Sequence, residues 1–210
     1  YLARMKKKIL LIGCMGYLGS ALSDYLINKN YQCEGIDTGF FSDCIIYKER
    51  KIKIKKKSAS KVNEKDIKDF DVVIVLAGFS NDPYGKLNPK KFYQPTTDYT
   101  IKIAKICKNL KKKFIFPSSC SVYGYGKGVF SEESKVFPLT EYSKNKLEIE
   151  KKLDKITTKD FKPIILRIPT VYGLSPRIRF DIVINMLCGM AVVSNQIKLN
   201  SNGLAWRPHV

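Results

Sequence analysis

Three glycines in seven residues, "GCMGYLG" from Gly13 to Gly19, constrain this chain more than any other stretch. They follow a short apolar run, "KILLI", and open an amphipathic one, "YLGSALSDYLINKN". A strand, a glycine turn and a helix let the backbone approach a pyrophosphate at the helix N-terminus, where larger side chains would block it. Asp37 ends the next β-rich run, 18 residues past Gly19. A carboxylate there is placed to accept hydrogen bonds from adenosine ribose hydroxyls and to repel the extra phosphate of NADP. The competing reading is a glycine-rich turn beside a surface aspartate. The expected cofactor is NAD, held by Gly13, Gly16, Gly19 and Asp37. The same stretch imitates a secretory signal, but the regular glycine spacing argues against one.

The rest of the chain alternates β-rich runs with helical ones. Strands are expected at "YQCEGID", "IKIKKKS", "DVVIVLAG", "KFIFPSS" and "KPIILRIPTVYG", and helices at "TTDYTIKIAKICKNL" and "EYSKNKLEIEKKLDKI". Near-continuous apolar strands alternating with helices predict an α/β fold with a doubly wound parallel sheet, a Rossmann domain over residues 1–173. After Gly173 the pattern becomes a loop, a helix and two extended pieces. Residues 174–210 are therefore expected to begin a smaller substrate-binding region. That region stops without a terminating element, and Tyr1–Arg4 precede Met5, so the chain reads as a fragment.

Composition narrows the function classes. The net charge of +19 raises nucleic-acid binding, but the lysines are scattered, outnumber arginines and lack interleaved aromatics. Nucleic acid is not an expected partner. Six cysteines form no CxxC pair and His209 is the sole histidine, so no metal site is expected. Free thiols in apolar patterns fit a reducing cytoplasm. No apolar run is long enough to span a membrane.

The glycine spacing is GxxGxxG, with Met15 at the second glycine position of the GxGxxG pattern. That form resembles the extended short-chain dehydrogenase/reductases, which use a Tyr-x-x-x-Lys pair. On a helix, residues four apart share a face, so the ammonium lies near the phenol. The cation favours phenolate, which can remove a proton from a substrate hydroxyl. Four pairs have this spacing: Tyr25/Lys29, Tyr47/Lys51, Tyr123/Lys127 and Tyr142/Lys146. Only Tyr142/Lys146 opens a helix following the fifth strand, with Thr140 placed as N-cap.

Together with "VVIVLAG", "SSCSVYG", "YSKNK", "LRIPTVYG", "SPRIRFD" and "WRP", these motifs resemble the NAD-dependent epimerase/dehydratase family of sugar-nucleotide enzymes over essentially the whole chain. The resemblance implies that Ser119 hydrogen-bonds the substrate oxygen deprotonated by Tyr142. It also implies that Leu76, Ala77, Gly78, Tyr142, Lys146 and Pro169 line the cofactor. Arg207 matches the arginine that grips the substrate diphosphate, with Arg177, Arg179 and Asn185 as further candidates for that pocket. The implied partners are a nucleotide-sugar substrate and a second copy in a homodimer. Two departures bear on cofactor affinity: Ser58 or Ser60 stands where an acidic residue is common, and Thr96 where an asparagine is common.

Within that family, the two positions after the catalytic Ser/Thr separate reactions. Dehydratases resemble Asp-Glu there, and uronic-acid decarboxylases carry a glutamate at the second. Here the residues are Cys120 and Ser121. The absent carboxylates favour plain hydride transfer, and Asp37, by favouring retained NAD, tilts the reading towards a 4-epimerase. A nucleotide-sugar reductase, dehydrogenase or dehydratase is the alternative within the family. A non-catalytic dinucleotide-binding regulator is the alternative from another class.

Overall fold

The computed structural model describes residues 7–47, 52–80, 88–199, 201–204 and 207–210. Six strands form one parallel sheet: β1 (Lys8–Ile12), β2 (Gln32–Asp37), β3 (Lys53–Lys56), β4 (Val72–Val75), β5 (Lys113–Ser119) and β6 (Ile164–Ile168). Their order across the sheet is β3-β2-β1-β4-β5-β6. Among the described residues the α-helices are α1 (Tyr17–Asn28), α2 (Glu64–Ile67), α3 (Pro89–Asn109), α4 (Glu141–Lys155) and α5 (Val183–Ser194). Chain order reverses on either side of β1 and β4, the switch point at which open α/β sheets bind ligands.

Both faces of β1 are covered, as its uninterrupted apolar sequence requires. Ile9 and Leu11 join Cys14, Leu26 and Val72 in one buried cluster. Leu10 and Ile12 join the larger cluster, which includes Val73, Ile103, Phe114, Phe116, Ile149 and Leu153. The period-two alternation of the strand thus divides its side chains between two layers. Each fully buried side chain of this size contributes about 1.5–3 kcal/mol.

Some boundaries differ from the sequence-based expectations. Helix α3 begins at Pro89, with Pro95 inside it. Asn88 caps its first turn by accepting from the Lys91 amide at 3.0 Å, and Pro89 needs no intrahelical partner at that position. Strand β6 ends at Ile168. Beyond it, Thr170 and Tyr172 pair with the closing residues, the Thr170 amide donating to the Pro208 carbonyl at 3.1 Å and the Tyr172 amide to Val210 at 3.0 Å. Asn195, at φ 50°, ends α5 in a left-handed conformation. The stretch from Gln196 to Leu199 forms no strand.

Candidate active site

The glycine loop is held tightly by its own scaffold. The Gly13 amide donates to the Ile36 carbonyl at 2.8 Å, and the Leu76 and Ala77 amides both donate to the Ile12 carbonyl. Gly13 has φ +92°, and a Cβ there would lie 2.4 Å from the Ala77 nitrogen. A Cβ on Gly19 would lie 2.1 Å from the Gly13 oxygen, so α1 enters directly against the turn. These two glycines are required by the fold. Gly16 is not: its Cβ would meet nothing nearer than the Gly13 oxygen at 3.5 Å. Gly16 is also the N-cap of α1, and no side chain caps that helix. Its first-turn amides are therefore presented to an anion, in an arrangement that fits a dinucleotide pyrophosphate.

Asp37, at the end of β2, faces this loop. Its Oδ2 accepts from the Met15 amide at 2.9 Å and its Oδ1 from the Gly39 amide at 2.9 Å. A carboxylate oxygen accepts more than one hydrogen bond, so both can still receive ribose hydroxyls. Leu76, Ala77 and Gly78 follow β4, beside Gly13, and half-buried Pro169 follows β6. All lie at the C-terminal end of the sheet.

Ser119 ends β5 and caps the 3-10 turn Cys120–Tyr123, where its Oγ accepts from the Ser121 amide at 3.2 Å. Tyr142 and Lys146 lie one turn apart near the start of α4. Thr140 and Ser143 form the capping box that fixes this helix end. The Lys146 ammonium donates to the Pro117 carbonyl at 2.8 Å and lies 4.5 Å from the Phe116 ring centroid and 5.6 Å from that of Tyr142. Burial lowers its pKa to about 8, against the opposing effect of the Glu150 carboxylate. Pro117 occupies a suitable place. Strand β4 pairs with β5 only as far as Ile115, while β6 pairs with it to Ser119. The missing N–H of Pro117 thus falls beyond the β4 ladder.

Sequence reasoning missed the network behind these residues. Buried Glu150 accepts from the Ser118 hydroxyl and pairs with Arg167 of β6, whose Nη2 lies 2.8 Å from Oε2. Arg167 Nη1 also donates to the Tyr123 hydroxyl at 3.1 Å, so Tyr123 serves this network despite its spacing from Lys127. A signal existed in the sequence. An arginine inside the apolar run "IILRI" requires a partner, and Glu150 lies four residues beyond Lys146 on the same helix.

The four substrate candidates have different surroundings. Asn185 is buried: its Oδ1 accepts from the Gly173 amide, and its Nδ2 donates to the Arg179 carbonyl and Tyr17 hydroxyl. Arg177 stacks on Phe41, 4.4 Å from the ring centroid. Arg179 pairs with Asp181 and donates to the Ser80 hydroxyl at 2.6 Å. Exposed Arg207 reaches the strand ends through the pairing of residues 208–210 with 170–172, and its charge acts on the Cys120 thiol. Burial outweighs that charge and raises the Cys120 pKa. Of the "WRP" motif, Trp206 lies outside the described residues.

Residues 9–210 match the model of the NAD dependent epimerase/dehydratase family. The chain belongs to that family. NAD is the cofactor in the family's name, and the glycine loop fits it. Among curated proteins, the epimerase/dehydratase chain is 28% identical over 180 residues to the bifunctional polymyxin resistance protein ArnA of Wigglesworthia glossinidia brevipalpis. That match covers 84% of this chain and 26% of ArnA, so the chain spans about a quarter of that relative's length. Among solved structures, the UDP-glucuronic acid 4-epimerase of Bacillus cereus, in complex with UDP-glucuronic acid and NAD, is 26% identical, with a TM-score of 0.79 over 96% of this chain and 68% of the other. The NDP-hexosamine 5,6-dehydratase TunA shares the fold, with a TM-score of 0.86 at 22% identity over 97% of this chain and 67% of the other. No helix among the described residues is long and apolar enough to cross a membrane.

Proposed function

We propose that this chain is the cofactor-binding and catalytic part of a nucleotide-sugar 4-epimerase. Residues 1–173 form the NAD domain, and 174–210 begin the substrate-binding region. The observation that carries this reading is the pair of residues after Ser119. The Cys120 thiol is kept protonated by burial, and the Ser121 hydroxyl is turned onto Ser119. Neither supplies the carboxylate that elimination or decarboxylation would use as acid or base.

The proposed roles are those the family resemblance implies, and the geometry is compatible with them. Lys146, charged below about pH 8, stabilises the Tyr142 phenolate. Tyr142 takes the proton of the sugar hydroxyl and later returns it, while Ser119 holds the same oxygen. NAD, when bound, takes up and gives back the hydride. Gly13, Gly16, Gly19 and Asp37 seat it, with Leu76, Ala77, Gly78 and Pro169 along its path. Arg207 is the proposed diphosphate ligand, with Arg177, Arg179 and Asn185 shaping the entrance. The groove between α3 and α4, which includes Thr97, Ile101, Ile106 and Ile156, is the candidate face for a homodimer.

A dehydrogenase or reductase would use the same three catalytic residues. The full-length protein should therefore be supplied with NAD and, in turn, UDP-glucose, UDP-N-acetylglucosamine and UDP-glucuronic acid. Epimer formation followed by NMR, without net NADH accumulation, is the expected result. Stoichiometric NADH would establish the dehydrogenase reading instead, and no turnover of any of the three would overturn the proposal.

A further inference from the structure

A serine hydroxyl has one proton to donate and two lone pairs with which to accept. Both lone pairs of Ser119 are engaged by one neighbour. Ser119 Oγ accepts from the Ser121 amide at 3.2 Å and from the Ser121 hydroxyl at 2.9 Å. Its rotamer is set at the same time, because these bonds make it the N-cap of the 3-10 turn. What remains for a ligand is the Ser119 proton.

The structure assigns Ser121 as a positioning residue: by donating to Ser119 it commits Ser119 to act on the substrate only as a hydrogen-bond donor. This inference rests on the epimerase reading and sharpens it in two ways. With no lone pair open, Ser119 cannot relay the substrate proton. The O–H bond of the sugar therefore breaks directly towards the Tyr142 phenolate. The electron pair of that bond forms the carbonyl as the C–H pair leaves to NAD. The Ser119 proton then faces an oxygen whose charge has grown, so its bond is strongest in the transition state.

The test uses the full-length protein and whichever of the three UDP-sugars turns over. Ser121→Ala should lower kcat about tenfold, the scale of one oriented neutral hydrogen bond, with the calorimetric Kd for that sugar nucleotide unchanged. Ser121→Thr should restore the rate. In a Ser119→Ala background, Ser121→Ala should have no further effect, which a merely structural role would not produce. Equal losses in both backgrounds, or full activity in Ser121→Ala, would overturn the assignment. Tyr142→Phe is measured alongside. If it is inactive while Ser121→Ala is not impaired, this inference alone fails. If Tyr142→Phe is fully active, the epimerase reading fails and takes this inference with it.

Discussion

Glu150 and Arg167 form an ion pair between α4 and β6, with Nε 3.2 Å and Nη2 2.8 Å from the same carboxylate oxygen. Their side chains are only 8% and 20% exposed, so neither charge has full access to water. The Ser118 hydroxyl from β5 closes on the other carboxylate oxygen. Three elements that carry Ser119, Tyr142 and Lys146, or flank them, are thus fastened at one point.

Breaking this pair from one side leaves a buried charge uncompensated. Arg167→Met should destabilise the protein by about 3–5 kcal/mol in denaturant unfolding. The double variant Glu150→Leu/Arg167→Met should regain much of that loss, because it removes both charges together. Equal stability of the single and double variants would refute the coupling.

Activity should fall on the alkaline side. Burial lowers the Lys146 pKa to about 8, so the charge proposed to support the Tyr142 phenolate is lost as pH rises through that value. Glu150 opposes this shift, so Glu150→Gln should move the alkaline limb of kcat to lower pH. The same shift acts on stability with the opposite sign. Lysine in the unfolded chain stays protonated to about pH 10.4. Between the two values the unfolded state therefore binds more protons, and this residue's contribution to stability rises with pH. A pH–rate profile of both proteins, with melting curves over the same range, checks both signs.

Gly16 and Gly13 should respond differently to substitution. Gly13→Ala would place a Cβ against the backbone at Ala77 in a left-handed conformation, and should lower the melting temperature of the NAD-free protein. Gly16→Ser adds a preferred N-cap where the scaffold leaves room. It should preserve or raise that melting temperature while weakening NAD binding at least tenfold by titration calorimetry.

Asp37→Ala removes two backbone hydrogen bonds as well as the proposed ribose ligand. The preference for NAD over NADP should fall by about tenfold or more, measured as the ratio of dissociation constants, while the Gly13–Ile36 bond still ties the glycine loop to β2. An unchanged ratio would remove Asp37 from the cofactor site.

The parts of this fold that are legible in sequence have local causes. Strand β1 reads as apolar on both faces, and the glycine turn announces both the helix after it and the ligand class before it. Strand β3 is harder to read, because "KIKK" at a sheet edge buries little. Pairing with β2 and the Lys53–Glu34 contact place it. The start of α3 is hidden by Pro95, since proline inside a helix is rare, whereas the Asn88 cap is a subtler signal. The Glu150–Arg167 pair and the Ser121–Ser119 bond depend on which side chains the fold brings together. Spacing suggests such contacts but does not specify their partners or their direction.

The early parting of β4 from β5 has a consequence for motion. Ile115 of the fifth strand is laddered on both sides, Lys113 and Phe114 pair with β4 alone, and Phe116 to Ser119 pair with β6 alone. Hydrogen exchange follows such differences, because a segment tied on one side can open without the whole sheet unfolding. The amide of Ser118 should then trade its proton for deuterium sooner than that of Ile115, three residues back in the same strand. The reacting end of the sheet is thus free to breathe, while the sheet behind it stays closed.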